Sequence, residues 1–172
     1  AQPADTPGID FTLDPGGSIS GHIYQADGVT PVADACIYAS LTGKKYSYNR
    51  TAYAESDGSY IISNLMPCSY RLDVTAAGYC REYYNGVYRE NQASLVPVDL
   101  SNTPDIDFAL DTGGSISGHV YQADGVTPFS DYVEIRAYSV WGDKSGYTST
   151  VDGSYSIQGL PSGIYRVTFD AE

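Results

Sequence analysis

The stretch "TPGIDFTLDPGGSISGHIYQADGVTP" at residues 6–31 returns almost unchanged as "TPDIDFALDTGGSISGHVYQADGVTP" at residues 103–128. From Gly16 to Pro31 the two copies differ only at Ile23 against Val120, at a shift of 97 residues. A second pair, "SDGSYIISNLMPCSYRLDVTA" (56–76) and "VDGSYSIQGLPSGIYRVTFDA" (151–171), follows at a shift of 95. Self-similarity at a fixed period marks tandem units of one fold. The chain therefore reads as two modules, the second slightly shorter in its middle.

Alternation of apolar and polar residues identifies the elements as strands buried on one face. In "SISGHIY", Ile19, Gly21 and Ile23 share one face, with Ser18, Ser20, His22 and Tyr24 on the other. In "IDFTL", Ile9, Phe11 and Leu13 point one way and Asp10 and Thr12 the opposite way. Asp-Gly pairs at 27–28, 57–58, 124–125 and 152–153 mark tight turns, because Asp bonds its own backbone and Gly accepts a positive φ. Short strands separated by such turns, with no helical periodicity, predict an all-β fold of two β-sandwich modules.

The totals agree with that class. The 172 residues include 18 Gly, 9 Pro and 17 Tyr, and 42% are hydrophobic, which suits a packed β-protein. With 21 acidic and 9 basic residues the net charge is -12, a field that repels nucleic acid and anionic membranes, so neither is expected as a partner. No apolar run reaches membrane-spanning length. The start "AQPADTP" has the look of a mature end left after cleavage at a small residue.

The opening "GSISGHIYQADGVTPVADACIYA", the hairpin "SDGSYIISNLMPCSYRLDV", the segment "GYCREYYNGV" and the closing "IDFAL" resemble the carboxypeptidase regulatory-like, prealbumin-type (Ig-like) β-sandwich family. That family occurs as tandem arrays on bacterial surface and secreted proteins. The resemblance implies seven strands in module 1, at about 17–25, 34–41, 45–55, 58–64, 69–75, 93–100 and 105–111. It divides the chain into a spare last strand at 1–15, a first sandwich at 16–111 and a second, incomplete sandwich at 112–172. It also implies that the second and fifth strands run side by side. Cys36, early in the second, and Cys80, just after the fifth, are then expected to form a disulfide, as a cysteine pair often does in relatives, in an oxidising extracellular setting. Cys68 is left over, where module 2 has Gly163.

No catalytic constellation emerges, and no enzyme activity, metal or cofactor is expected. His22 and His119 fall one per module, no spacing suggests a nucleophile elbow, and "SDGSY" supplies one carboxylate where a calcium loop needs several. An internal Lys–Asn isopeptide bond is rejected because Lys44, Lys45 and Lys144 lie off the first strands. The sequon Asn49-Arg50-Thr51 permits N-glycosylation at Asn49. Eleven tyrosines fall in module 1; Tyr46, Tyr48, Tyr83, Tyr84 and Tyr88 are the candidates for contact with another subunit or with glycans.

The ends carry the functional expectation. Module 2 stops at "RVTFDAE", the counterpart of "RLDVTAA", without its last two strands, while "TPGIDFTL" is a last strand with no module before it. Three arrangements fit: residues 8–14 are donated to module 2 of a neighbour, both ends are boundaries within a longer array, or the segment packs on its own module 1. The first is the reading adopted, with Ile9, Phe11 and Leu13 as the plug and copies of the chain as partner, although one donated strand restores only one of two. The expected function is an extracellular or cell-surface structural protein forming a fibre. The alternative is a carbohydrate-binding or adhesive module of a larger secreted protein.

Overall fold

The structure is a computed structural model that describes residues 7–13, 15–41, 49–140 and 144–171. It is all-β, with one 3-10 turn among the described residues, at Glu90–Gln92. In the first repeat β1 is Gly17–Gln25, β2 Cys36–Leu41, β3 Asn49–Tyr53, β4 Ser59–Leu65 and β5 Cys68–Thr75. There follow β6 (Glu82–Tyr83), β7 (Leu95–Val98), β8 (Asn102–Thr103) and β9 (Phe108–Leu110). Strand β1 pairs antiparallel with β4 on one side and parallel with both β8 and β9 on the other. The facing sheet runs β3-β2-β5, with β6 and β7 sharing the far edge of β5. Alternate residues of the two sheets interlock as one core that includes Ile19, Ile23, Ile37, Ile62, Leu72 and Phe108.

The second repeat contains β10 (Gly114–His119), β11 (Val133–Ser139), β12 (Lys144–Thr150), β13 (Ser154–Leu160) and β14 (Tyr165–Ala171). Here β10 pairs with β13, and β12-β11-β14 form the facing sheet around Val133, Ile135, Ala137, Ile157 and Leu160. Both repeats carry the same corner: Tyr70 donates its hydroxyl to the Met66 carbonyl and Tyr165 to that of Pro161, each four residues back. All four Asp-Gly turns form, with glycine φ between 69° and 81°. Asp27 and Asp124 accept bonds from the amides two and three residues on, and Asp57 and Asp152 from Ser59 and Ser154.

The expected strands at 17–25, 58–64 and 69–75 lie within a residue of β1, β4 and β5 at each end. The strand expected at 34–41 starts later, because Asp34 has φ 57°, which breaks extended backbone just before Ala35. Of the strand expected at 45–55, residues 45–48 lie outside the described residues and 49–53 form β3. The last two shorten to β7 and β9, and the two-residue strands β6 and β8 are additional.

Candidate assembly site

How the first sandwich is closed shows what the second leaves open. Ile106, Phe108 and Leu110 point alternately inward and are 7%, 3% and 0% exposed. They arrive on a strand parallel to β1, in register Ile23 with Phe108, Tyr24 with Ala109 and Gln25 with Leu110. Three polar contacts fix this strand. The Ile106 amide donates to the Ser20 carbonyl at 3.1 Å. Tyr60 donates its hydroxyl to the Ile106 carbonyl at 2.6 Å. Asp107 accepts the His22 backbone amide at 2.7 Å. Gly21 is required at the crossing, because a Cβ there would stand 2.1 Å from the Ile106 carbonyl oxygen.

The same parts stand in the second repeat without that strand. Among the described residues β10 has β13 as its one strand partner. Ile116 and Val120 are half-buried where their counterparts Ile19 and Ile23 are fully buried. A Cβ at Gly118 would meet the Tyr155 side chain first, with its hydroxyl at 2.9 Å, where at Gly21 it meets a carbonyl. Tyr155, the counterpart of Tyr60, is half-buried rather than enclosed. Half-buried Ile116, Val120 and Tyr155 therefore lie beside an edge of β10 that has no second strand partner among the described residues.

Ile9, Phe11 and Leu13 correspond to Ile106, Phe108 and Leu110 at the 97-residue shift. They are 65%, 85% and 89% exposed and form no strand. The arrangement in which this segment packs on its own first sandwich is therefore not the one adopted, since β8 and β9 already occupy that edge of β1. Asp14, the last residue of the expected donor segment, lies outside the described residues.

The expected Cys36–Cys80 bridge is unconfirmed: Cys36, Cys68 and Cys80 are all free thiols in the structure. Strands β2 and β5 do pair, with Cys36 opposite Thr75 and Cys80 five residues beyond that pair, past the end of β5. Cys36 shares the outer face with Tyr38, Asp73 and Tyr83, which are successive cross-strand partners. Cys80 follows the turn after β5 and lies with Glu82 and Asp111, whose backbone carbonyl accepts the Cys80 amide at 2.9 Å. Burial first, then these two carboxylates, pushes the Cys80 thiol up, which keeps it protonated.

Of the five tyrosines expected as contact platforms, Tyr83 and Tyr84 pack within the module. Tyr83 is 8% exposed and carries Arg81 over its ring at 5.3 Å. Tyr84 packs edge-on against Phe108. Tyr88 is 40% exposed, with its hydroxyl bonded to the Asp111 carboxylate. Tyr46 and Tyr48 lie outside the described residues. Asn49 is exposed at the start of β3, at the end of the strand order. His22 and His119 stack on Tyr24 and Tyr121, two residues along the same strand face. Among the described residues no group of acidic, His or Cys side chains could hold a metal ion, and no helix is long and apolar enough to cross a membrane.

Two features were not legible beforehand. Asp73 and Glu82 are buried carboxyls on neighbouring strands. Asp73 is held by Arg81 at 2.8 Å, yet burial still raises it; Glu82 is pushed up to about 7, by burial and then by the Asp111 charge. The passage between the repeats is also tied down. Tyr79 bridges to Thr112, and the Gly113 amide donates to the Gly78 carbonyl at 2.9 Å. A Cβ at Gly159 would lie 2.6 Å from the Tyr79 carbonyl oxygen, whereas the first repeat has Asn64 at that position.

The carboxypeptidase regulatory-like domain profile matches residues 18–111. No curated protein matches the chain in sequence. Solved structures similar to it include the Bacillus anthracis TIE protein, at 18% identity and TM-score 0.38, covering 91% of this chain and 28% of that one. A streptococcal ancillary pilin is similar at 16% identity and TM-score 0.40, covering 87% of this chain and 51% of the pilin. A leucine-rich repeat protein from Bacteroides thetaiotaomicron is similar at 11% identity and TM-score 0.30, over 90% of this chain and 22% of that one. The chain thus spans about a quarter to a half of the length of these proteins.

Proposed function

Since the chain belongs to the carboxypeptidase regulatory-like domain family, we propose that it is a non-enzymatic structural protein of the cell surface or exterior whose copies join by strand donation. Residues 8–14 of one copy enter the groove beside β10 in the next. The observation that carries this reading is the seat of Ile106, Phe108 and Leu110 against β1. The chain holds a second copy of that plug, exposed, and a second copy of that seat, whose β10 has β13 as its one strand partner among the described residues.

Burying Ile9, Phe11 and Leu13 would contribute about 1.5–3 kcal/mol each before the cost of ordering the segment. Donor and acceptor are different surfaces of the same chain, so the contact is heterologous, and without a closing rotation it propagates as a filament. The donated segment replaces the counterpart of β9 and leaves uncovered the part of the edge that β8 occupies in the first repeat.

The test is Phe11→Asp, which places a charge in the plug while touching nothing in the free chain. The native protein should form polymers in sedimentation velocity and electron micrographs, and the variant should remain monomeric with unchanged melting of the first sandwich. A native chain that stays monomeric at high concentration, or a variant that polymerises equally, overturns the proposal.

A further inference from the structure

The alternation that makes Ile9, Phe11 and Leu13 a plug does not fix where the plug sits. Sliding the segment by two residues keeps the same face inward and merely exchanges one apolar residue for the next. In the first repeat, polar groups remove that ambiguity. Asp107 places a carboxylate oxygen 2.7 Å from the His22 amide and 3.8 Å from its Nδ1. Tyr60 captures the Ile106 carbonyl, and Gly21 opens the space in which that carbonyl lies.

Each of these groups has its counterpart at the open edge: Asp10 for Asp107, Ile9 for Ile106, His119 for His22, Tyr155 for Tyr60 and Gly118 for Gly21. We propose that β10 accepts the segment of a second copy parallel to itself, with Phe11 beside Val120, and that Asp10 selects this register by accepting the His119 amide. This deepens the strand-donation reading and rests on it. In the selected register the Tyr155 side chain, which stands over Gly118 in the free chain, swings aside as the Ile9 carbonyl enters and donates its hydroxyl to that carbonyl. A slip of two residues brings Gly8 or Thr12 to His119 in place of a carboxylate, and the strand amide faces a neutral partner. Charge-assisted hydrogen bonds are about twice as strong as neutral ones, so Asp10 discriminates where the apolar side chains do not.

The test uses the full chain with cysteines introduced singly. In the first repeat Ala109 and Tyr24 are directly paired, which makes residues 12 and 121 partners across the proposed contact. A Thr12→Cys chain is mixed with a Tyr121→Cys chain, or in parallel with a His119→Cys chain, and oxidised. Peptide mapping then separates the engineered linkage from any product of the native thiols. The 12–121 linkage should exceed the 12–119 linkage by about tenfold, and Asp10→Asn on the donor chain should remove most of that preference. Equal yields of the two linkages, or a preference untouched by Asp10→Asn, overturn the register while leaving strand donation standing. Absence of both linkages together with a monomeric native protein overturns strand donation and the register with it.

Discussion

Tyr60 and Ile106 are joined by a 2.6 Å hydrogen bond from phenol to backbone carbonyl, inside the first sandwich and across 46 residues of sequence. It ties the last strand to β4, and Tyr155 presents the same phenol where β10 has β13 as its one strand partner among the described residues. Tyr60→Phe leaves a buried carbonyl short of a partner and should cost about 1–2 kcal/mol in urea denaturation. Tyr155→Phe should leave the dilute chain unchanged and weaken its assembly.

Gly21 and Gly118 form a second matched pair. Gly21→Ala drives a methyl to 2.1 Å from the Ile106 carbonyl oxygen, so the last strand must move, at a cost of about 1–3 kcal/mol. Gly118→Ala meets the end of the Tyr155 side chain, which can swing aside. Thermal melts of dilute protein should therefore fall for Gly21→Ala and hold for Gly118→Ala. Sedimentation should show that Gly118→Ala no longer assembles.

Glu82 makes stability depend on pH in a stated direction. Its carboxyl is raised from an ordinary 4.5 to about 7, by burial and then by Asp111, so the unfolded chain releases this proton more readily than the folded one. The stability this group contributes is complete below pH 4.5 and is lost as pH rises through 7, by at most about 3 kcal/mol. Glu82→Gln should flatten that decline, being more stable than the native chain at pH 8 and close to it at pH 4, as measured by urea midpoints at the two pH values.

The repeat made most of the fold legible, because two copies of "GGSISGH" and of "DGSY" locate the same strands twice and the alternation within them assigns an inner face. The donor segment was legible for the same reason: "IDFTL" and "IDFAL" differ at one outward position. What escaped depended on side chains meeting across sheets. Cys36 sits on a paired strand and Cys80 just beyond one, and strand adjacency does not say which face a residue takes after a turn; past the Ala76–Tyr79 segment Cys80 lies near Glu82 and Asp111. The "EYYNG" tyrosines look displayed in sequence, yet Tyr83 ends, and Tyr84 directly follows, a two-residue strand too short to betray its alternation. Gly159 makes room for the Tyr79 carbonyl from the other repeat, a contact that no local pattern announces.

The His119 amide is the most direct reporter of strand donation, because its counterpart at His22 is bonded to Asp107 of the last strand. Hydrogen exchange at that amide should be fast in dilute protein and markedly slower in concentrated protein, with Phe11→Asp holding the fast rate at both concentrations. Exchange at His119 that is equally fast in dilute and concentrated native protein would contradict the account.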